Sequence, residues 1–159
     1  MPGQVNSKVS VHSYDIQSQL TRNIDVPLDS DGYIPRIKAT SDPTKIAVFT
    51  MNRHQDVLRI YMVNPQTAES QLIIEDQVDK YIKEETLEDV QLTDKHILLP
   101  SERDAYNHLY LYDLNGKMLR QIVTEKYVVK SVYGYDEKKG DTYFAANPNG
   151  ATDQQVMVA

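Results

Sequence analysis

Two arginines at equivalent places in a repeated pattern are the first candidates for chemistry. Arg53 and Arg103 each fall between the second and third predicted strands of their repeat. One interpretation has them line a channel or face a substrate, because a planar guanidinium group binds carboxylates and carbonyl oxygens well. We favour a hairpin-stabilising network instead. In that network Arg103 pairs with Glu102 or Asp104, and Arg53 pairs with Asp56.

The histidines and carboxylates do not form a recognisable metal site. The four histidines lack metal-ligand spacing such as H-x₃-H, and we expect packed or surface side chains at His12, His54, His96 and His108. The carboxylates are spread through turns, where Asp caps backbone groups. There is no Gly-rich phosphate loop. The sequence therefore predicts no metal and no cofactor.

No catalytic nucleophile is present in this sequence. A triad serine of an α/β-hydrolase needs a Gly-x-Ser-x-Gly-like turn between a strand and a helix, and none of the serines has that context. We assign no catalytic residue, and we leave the substrate-binding residues unassigned. The chain alone is expected not to hydrolyse a Gly-Pro chromogenic substrate.

The elements that position these side chains recur every 49 residues. Strand-like runs begin at Val9, Leu58 and Asn107, and each ends in Asp or Asn before a polar turn and a second apolar run. A period of this length that contains only strands is typical of a β-propeller blade or a related β-repeat. Since one repeat cannot bury its own faces, neighbouring repeats must cover them.

The sequence predicts an all-β fold, a partial β-propeller with two complete four-stranded antiparallel blades flanked by two incomplete ones. The predicted units are a partial blade at 8–26, blades at 33–75 and 86–124, and a partial blade at 128–159. Propellers close with roughly four to eight blades, so we interpret the chain as an arc of a larger ring. The alternative is a different β fold with a misleading repeat.

Three local features are less regular. Leu87 to Leu92 is predicted as a weak first strand, and Asn115-Gly116 as a tight hairpin turn in which both residues adopt positive φ. The segment 77–85 is either a loop between blades or a short helix, because its apolar residues are spaced i, i+3, i+4. The truncated arc would expose an unpaired strand near Val156, which predicts self-association of the isolated chain.

Composition excludes several classes of partner. The net charge of −6 and the lack of a basic patch disfavour nucleic acid and anionic membrane surfaces. With no cysteine there is no disulfide or thiolate metal site. No apolar run approaches the length of a membrane span. Met1-Pro2-Gly3-Gln4 lacks the charged and apolar regions of a signal peptide.

Two motifs in this sequence stand at a characteristic separation. The first motif is Tyr33-Ile34-Pro35-Arg36 followed by Asn52-Arg53-His54-Gln55, and the second is Ser101-Glu102-Arg103-Asp104-Ala105-Tyr106-Asn107-His108-Leu109-Tyr110. Together they resemble the dipeptidyl peptidase IV family of prolyl-specific peptidases. The resemblance runs from about Val9 to the C-terminus. Ala105 stands where the family usually has Gly, which suggests that the turn does not strictly demand positive φ there.

The resemblance implies a fold, partners and a location. Such enzymes join an eight-bladed N-terminal propeller to a C-terminal α/β-hydrolase domain with a Ser-Asp-His triad. The propeller restricts substrate entry and helps to hold the free N-terminus of peptides that lose X-Pro or X-Ala dipeptides. The implied partners are the hydrolase domain and peptide substrates, and the implied location is periplasmic or secreted in bacteria.

One residue role is not carried over from the family. Its amine-binding glutamates normally follow a Trp-x-Tyr-type motif, and this chain has no Trp, so Glu84-Glu85 is expected to lie in a solvated loop. Two other functions stay open. One is a ligand- or protein-binding propeller module of a non-enzymatic periplasmic protein. The weaker one is a WD-repeat-like scaffold, which the missing Trp-Asp dipeptides disfavour.

Overall fold

The structure, a computed structural model that describes residues 6–159, is built almost entirely of antiparallel β-sheets. The predicted all-β fold is therefore confirmed. The stretch Met1-Pro2-Gly3-Gln4, for which the sequence predicts no signal peptide, lies outside the described residues. Within the described part the strands are β1 (Val11–Asp15), β2 (Leu20–Ile24), β3 (Tyr33–Ala39), β4 (Ile46–Met51), β5 (Val57–Val63), β6 (Ser70–Gln77), β7 (Gln91–Leu92), β8 (His96–Ser101), β9 (His108–Asp113), β10 (Met118–Gln121), β11 (Val129–Asp136), β12 (Asp141–Ala146) and β13 (Gln155–Val158), with one helix, α1 (Glu84–Glu88).

The strands form four sheets in which chain neighbours are also spatial neighbours. The sheet orders are β1-β2, β3-β4-β5-β6, β10-β9-β8-β7 and β11-β12-β13. This meander follows from the short polar turns between the strands, because antiparallel strands can be joined by a few residues. The structure thus contains sheets of two, four, four and three strands within the described residues.

The chain divides into two compact units with a boundary between Glu75 and Asp76. In the first unit, side chains of the β1–β2 sheet pack against side chains of β4 and β5. The buried cluster consists of Val11, Ile24, Val48, Tyr61 and Val63. Ala47, Val48 and Phe49 are all fully buried in succession along β4, so both faces of that strand are covered. Continuous apolar strands are what such burial requires.

The second unit has its own core between the β7–β10 sheet and the β11–β13 sheet. Leu98, Leu109 and Phe144 are all fully buried there. Burying side chains of this size contributes roughly 1.5–3 kcal/mol each relative to leaving them exposed. The cluster consists of Leu98, Leu109, Leu111, Val123, Val129, Val132, Phe144 and Ala146.

The predicted strand from Leu87 to Leu92 is wrong for most of its length. Helix α1 occupies Glu84–Glu88 and buries Leu87, and only Gln91–Leu92 pairs as a strand. The segment 77–85, predicted as a loop or a short helix, is a connection for most of its length. Gln77 ends β6, Lys83 has extended backbone angles, and only Glu84 and Glu85 belong to the helix. Two acidic residues in the first turn favour a helix start at Glu84, because carboxylates interact well with a helix N-terminus.

The predicted hairpin turn at Asn115-Gly116 has a different geometry. Of these two residues only Gly116 has positive φ, at 85°. The Gly116 amide donates to the Asp113 carbonyl at 3.1 Å, and the Asp113 amide donates to the Lys117 carbonyl at 3.0 Å. This pattern is a type I turn followed by a left-handed residue. The Asp113 side chain stabilises the turn by accepting bonds from the Asn115 and Lys117 amides.

Candidate functional site

The connection between β8 and β9 positions a group of polar residues in the second unit that bond to one another. The Ala105 amide donates to the Glu102 carbonyl at 3.1 Å, which closes a turn in which Ala105 has a φ of 76°. The expectation that this turn does not demand positive φ is therefore wrong. Gln55 lies at the equivalent place between β4 and β5 and has a φ of 59°. A residue with left-handed backbone angles is therefore a feature of this connection, whichever side chain occupies the position.

Arg103 pairs with a carboxylate that the sequence analysis did not select. Its Nη2 lies 2.7 Å from Oδ1 of Asp76, and its guanidinium carbon lies 4.1 Å from the centroid of the Tyr110 ring. Its Nε donates to the Ser101 hydroxyl at 3.3 Å. Tyr112 lies within cation–π range on the same side, at 5.9 Å. The predicted pairing of Arg103 with Glu102 or Asp104 is wrong, although the predicted network exists.

Asp76 is a buried carboxylate. Its side chain is only 3% exposed, whereas that of Arg103 is 25% exposed. Burial raises the pKa of Asp76, and the charge of Arg103 opposes that rise. A guanidinium is suited to such a site because it stays protonated and stacks on aromatic rings while it pairs. Asp76 and Arg103 therefore form a salt bridge that the Tyr110 ring covers on the arginine side.

Arg53 has a much more open environment. It is exposed, its Nη1 donates to the Tyr33 hydroxyl, and its guanidinium carbon lies 5.7 Å from the centroid of the Tyr33 ring. The predicted partner Asp56 instead accepts a bond from the Asn52 side chain at 2.6 Å. The predicted pairing of Arg53 with Asp56 is wrong. The two arginines share a place in the repeat but not an environment.

His108 closes the same β8–β9 hairpin from the strand side. It is 3% exposed, with Nδ1 2.8 Å from Oδ2 of Asp104 and Nε2 2.8 Å from the Glu125 carbonyl. Its ring stacks on Tyr106 at a centroid distance of 5.5 Å. Since a carbonyl oxygen only accepts, Nε2 carries a proton and donates. The expectation of a packed histidine holds at this position.

Asp104 collects several hydrogen bonds at the rim of this cluster. Burial acts to raise the pKa of Asp104. Hydrogen bonds from His108, Gln121 and Tyr110 outweigh that effect, and the pKa is lowered. Burial and the bond to Asp104 in turn raise the pKa of Tyr110. Tyr110 thus joins both groups, because its ring covers Arg103 and its hydroxyl bonds Asp104. We call Asp76, Arg103, Asp104, His108 and Tyr110 the hairpin cluster.

The remaining histidines do not meet at a metal site. His96 pairs with Glu137 at 2.8 Å between Nδ1 and Oε2, and Glu137 also bonds the Thr93 hydroxyl. His12 and His54 are exposed. Across residues 6–159, no group of three or more metal-ligating side chains is brought together. No residues are therefore assigned to a metal or cofactor.

The Glu84-Glu85 pair lies in helix α1 and not in the solvated loop expected for it, although a short helix was one of the two alternatives for this segment. Both side chains are exposed, as expected, but they occupy the first turn of α1 and not a loop.

No helix in the described part of the chain is both long and apolar enough to pass through a membrane.

The chemistry available at the hairpin cluster is charge pairing and hydrogen bonding. Its carboxylates and histidine bond to one another and to neighbouring protein groups such as Gln121 and the Glu125 carbonyl, and its arginine is stacked and paired. Sequence reasoning located Arg103 but missed Asp76, which precedes it by 27 residues at the end of β6. The available signal was a pair of acidic residues, Glu75 and Asp76, directly after the apolar run of β6. Pairings between side chains so far apart in sequence cannot be read from spacing.

The comparisons with known proteins agree with this architecture. Residues 1–158 match the family model described as the dipeptidyl peptidase IV (DPP IV) N-terminal region. The crystal structure of Porphyromonas gingivalis dipeptidyl peptidase 4 is similar with a TM-score of 0.92 and 32% sequence identity, over 98% of this chain and 22% of that one. This chain therefore spans about a fifth of the length of that relative.

A second solved structure is similar in fold alone. An oligogalacturonate lyase in complex with manganese matches with a TM-score of 0.59 and 16% identity, over 94% of this chain and 44% of that one. Both matches fit the all-β, propeller-like arrangement of antiparallel sheets. With the family model matching almost every residue, the chain belongs to the dipeptidyl peptidase IV N-terminal-region family.

Proposed function

We propose that this chain forms part of the N-terminal propeller of a dipeptidyl peptidase IV-like serine peptidase. Its sheets serve as two complete blades, at 33–75 and 86–124, flanked by partial blades at 8–26 and 128–159. In the whole enzyme the propeller restricts entry to the substrate cavity. A C-terminal α/β-hydrolase domain supplies the triad that releases N-terminal X-Pro or X-Ala dipeptides.

The observation that carries this proposal is the similarity to the P. gingivalis enzyme over 98% of the chain at 32% identity. A non-enzymatic binding propeller would account for the fold, as the lyase match also does at 16% identity. It would not account for the agreement in sequence along nearly all of the chain.

The hairpin cluster supports a restricting role in a physical way. A wall that limits substrate entry has to keep its shape, and loops keep their shape when their side chains are fixed by buried partners. Asp76 and His108 are each only 3% exposed. Asp76 pairs with Arg103 and His108 bonds Asp104, and both of those partners lie in the β8–β9 connection. Because buried and paired side chains hold a loop in one arrangement, we expect this connection to keep its shape.

A segment exchange tests the proposal. Residues 1–159 replace the equivalent segment of P. gingivalis dipeptidyl peptidase 4, and hydrolysis of a Gly-Pro chromogenic substrate is measured. We expect the hybrid to keep activity within about tenfold of the parent, a barrier change of about 1.4 kcal/mol. The isolated chain, which has no Gly-x-Ser-x-Gly turn, is expected to give no turnover.

A hybrid that carries the matching segment of the oligogalacturonate lyase is the control for fold alone. We expect that hybrid to lose activity, because its segment shares the architecture without the sequence. Equal activity in both hybrids would show that any similar segment suffices. A folded but inactive hybrid with residues 1–159 would contradict the proposed role directly.

We also propose a location and partners on the basis of family membership. The partners are the hydrolase domain of the whole enzyme and peptide substrates, and the location is the bacterial periplasm or the medium. The absence of cysteine is compatible with either compartment. Fractionation of the source cells, followed by detection with an antibody against this chain, tests the location.

A further inference from the structure

Two asparagines in this chain are followed directly by glycine. They are Asn115, in the hairpin turn between β9 and β10, and Asn149, in the connection between β12 and β13. Asparagine is a thermolabile residue. A following glycine increases that lability, because no side chain shields the backbone nitrogen of glycine. The two Asn-Gly pairs are therefore the places at which loss of a side-chain amide would begin.

Both asparagines occupy the third position of a four-residue turn. In each turn the amide of the glycine donates to the carbonyl of the first residue, at 3.1 Å in Asp113-Leu114-Asn115-Gly116 and at 3.4 Å in Asn147-Pro148-Asn149-Gly150. Proline in the second position and glycine in the fourth are residues that a type I turn prefers. The two sites share a dipeptide and a place in the turn, so the bonds that hold each turn must distinguish them.

The turn that contains Asn115 is held by several bonds. Oδ1 of Asp113 accepts bonds from the Asn115 and Lys117 amides, both at 2.9 Å. The Asp113 amide donates to the Lys117 carbonyl at 3.0 Å, and β9 pairs with β10 directly beyond the turn. A rotation that turns the Gly116 amide out of this hairpin has to break several of these bonds together.

The turn that contains Asn149 is held less tightly. Its closing bond of 3.4 Å is longer than the usual range of about 2.7–3.2 Å. Gly150 is exposed, and apart from its chain neighbours no described atom lies within 4 Å of the position that a side chain would take. The Asn149 side chain is also exposed, and its Nδ2 donates to Oδ2 of Asp153 at 2.8 Å. The Gly150 amide is therefore the one that can turn toward the preceding asparagine more easily.

We propose that Asn149 is the deamidation site of the folded chain. The Gly150 nitrogen attacks Cγ of Asn149, and the new N–Cγ bond forms as the Cγ–Nδ2 bond breaks. Nδ2 leaves as ammonia and takes the proton of the Gly150 amide, so that a cyclic succinimide remains. Water then opens one of the two carbonyls of the ring, which gives aspartate or isoaspartate at position 149. Water is the only co-reactant, and nothing is oxidised or reduced.

The product changes the bonds that hold the β12–β13 connection. Position 149 loses its side-chain donor and gains a carboxylate, which then faces the Asp153 carboxylate across the former hydrogen bond. Two acceptors of the same charge repel each other. Asp153 keeps the bond from the Gln155 side chain at 2.8 Å, and β13 keeps its register with β12. We therefore expect the connection to open between positions 149 and 153 while the sheet stays intact.

Peptide mapping by mass spectrometry tests the site. The 159-residue chain is kept folded in mildly alkaline buffer, and the acid form of each Asn-Gly pair is followed with time. We expect position 149 to convert about tenfold faster than position 115, because the additional hydrogen bonds of the hairpin turn have to break first. In concentrated guanidinium chloride the two rates should become similar. Equal rates in the folded chain, or a tenfold difference that persists in denaturant, would overturn the proposal.

Asp113→Ala is the matched variant for the structural cause. It removes the two bonds that the Asp113 side chain accepts, so conversion at position 115 should rise about tenfold while conversion at position 149 stays unchanged. Asn149→Gln should abolish conversion at position 149, because glutamine would have to close a larger ring. A slow position 115 in folded Asp113→Ala would contradict the proposed cause. The comparison of the wild-type chain with and without denaturant stands even if a variant fails to fold.

Hydrogen exchange tests the opening of the connection. The Asp153 amide donates to the Gly150 carbonyl at 3.0 Å and should be protected in the wild-type chain. Asn149→Asp reproduces the aspartate product and should raise the exchange rate of that amide by about tenfold. Asn149→Asp/Asp153→Asn exchanges donor and acceptor and should return the rate to the wild-type value. Equal exchange in all three proteins would contradict the expected effect on the connection.

Discussion

At the residue scale, Ala105 has a backbone conformation that its own side chain disfavours. Its φ of 76° lies in the left-handed region, where a non-glycine residue costs roughly 1–2 kcal/mol. Glycine removes that cost but adds about 0.5–1 kcal/mol of entropy to the unfolded chain. We predict that Ala105→Gly raises the free energy of unfolding by about 0.5–1 kcal/mol, as measured by urea denaturation.

The control for this substitution is Ala39→Gly. Ala39 is also exposed, but it lies in β3 and does not have positive φ. The same change should therefore lower stability there by about 0.5–1 kcal/mol. Loss of stability in both variants would mean that the left-handed conformation of Ala105 is not strained.

Arg103 lends itself to a second substitution at this scale. Arg103→Met removes the cation that faces Asp76, whose side chain is 3% exposed. A carboxylate left buried without a partner costs roughly 3–5 kcal/mol, so we predict a loss of stability of that size at neutral pH. Thermal and urea denaturation measure the loss. It should shrink as the pH falls, because protonation neutralises Asp76.

The matched control is Arg53→Met at the equivalent place in the preceding repeat. Arg53 is exposed and bonds only the Tyr33 hydroxyl in the contacts described above, so its removal should cost at most about 1 kcal/mol. Adding Asp76→Asn to Arg103→Met should restore part of the lost stability. Equal effects of the two arginine substitutions would show that the Asp76 pair contributes no more than a surface contact.

At the scale of elements, most strands could be predicted from periodicity and turn residues. The strand-like runs predicted to begin at Leu58 and Asn107 are β5 and β9, which begin one residue away, at Val57 and His108. Strands of this kind are identified by apolar runs that end in Asp, Asn or Gly, and both signals are local. The run from Leu87 to Leu92 misled because a short apolar run fits a helix and a strand equally well.

The turns and the cluster show where sequence reasoning fails. Asn115-Gly116 marked the hairpin correctly, but the Asp113 side chain selected the turn type by binding two amides. The sequence singled out Arg103, but its partner Asp76 lies in β6, which belongs to a different sheet. No spacing rule connects β6 to the β8–β9 connection. Local chemistry therefore predicts where elements lie. The pairing of distant side chains depends on packing that only the folded chain reveals.

At the scale of the whole molecule, acid should destabilise the chain through several carboxylates. Hydrogen bonds from residues within their own turns lower the pKa of Asp15, Asp42 and Asp136. Burial opposes, but does not overcome, the bonds that lower the pKa of Asp104 and Glu137. A carboxyl group with a lowered folded pKa stabilises the fold above its ordinary pKa. That stability is lost as the pH falls through the folded value.

Asp76 acts in the opposite sense, because burial raises its pKa and its protonation favours the folded chain. Five carboxyl groups have a lowered pKa and Asp76 alone has a raised one, so acidification should lower the stability of the fold overall. The ordinary pKa values are 3.8 for Asp and 4.5 for Glu, so the loss should begin near those values and continue below them. Urea denaturation at a series of pH values between about 6 and 2.5 measures it.

The isosteric variant Asp15→Asn/Asp42→Asn/Asp136→Asn serves as the control for this acid dependence. An asparagine oxygen still accepts the turn hydrogen bonds but does not titrate, so the fold is kept while three of the five groups are removed from the balance. The stability of this variant should fall less steeply with acid than that of the wild type. If both proteins had the same pH dependence, the acid-sensitive stability would have to come from Asp104 and Glu137, which the variant keeps. Constant stability of the wild type down to pH values well below 3.8 would contradict the prediction altogether.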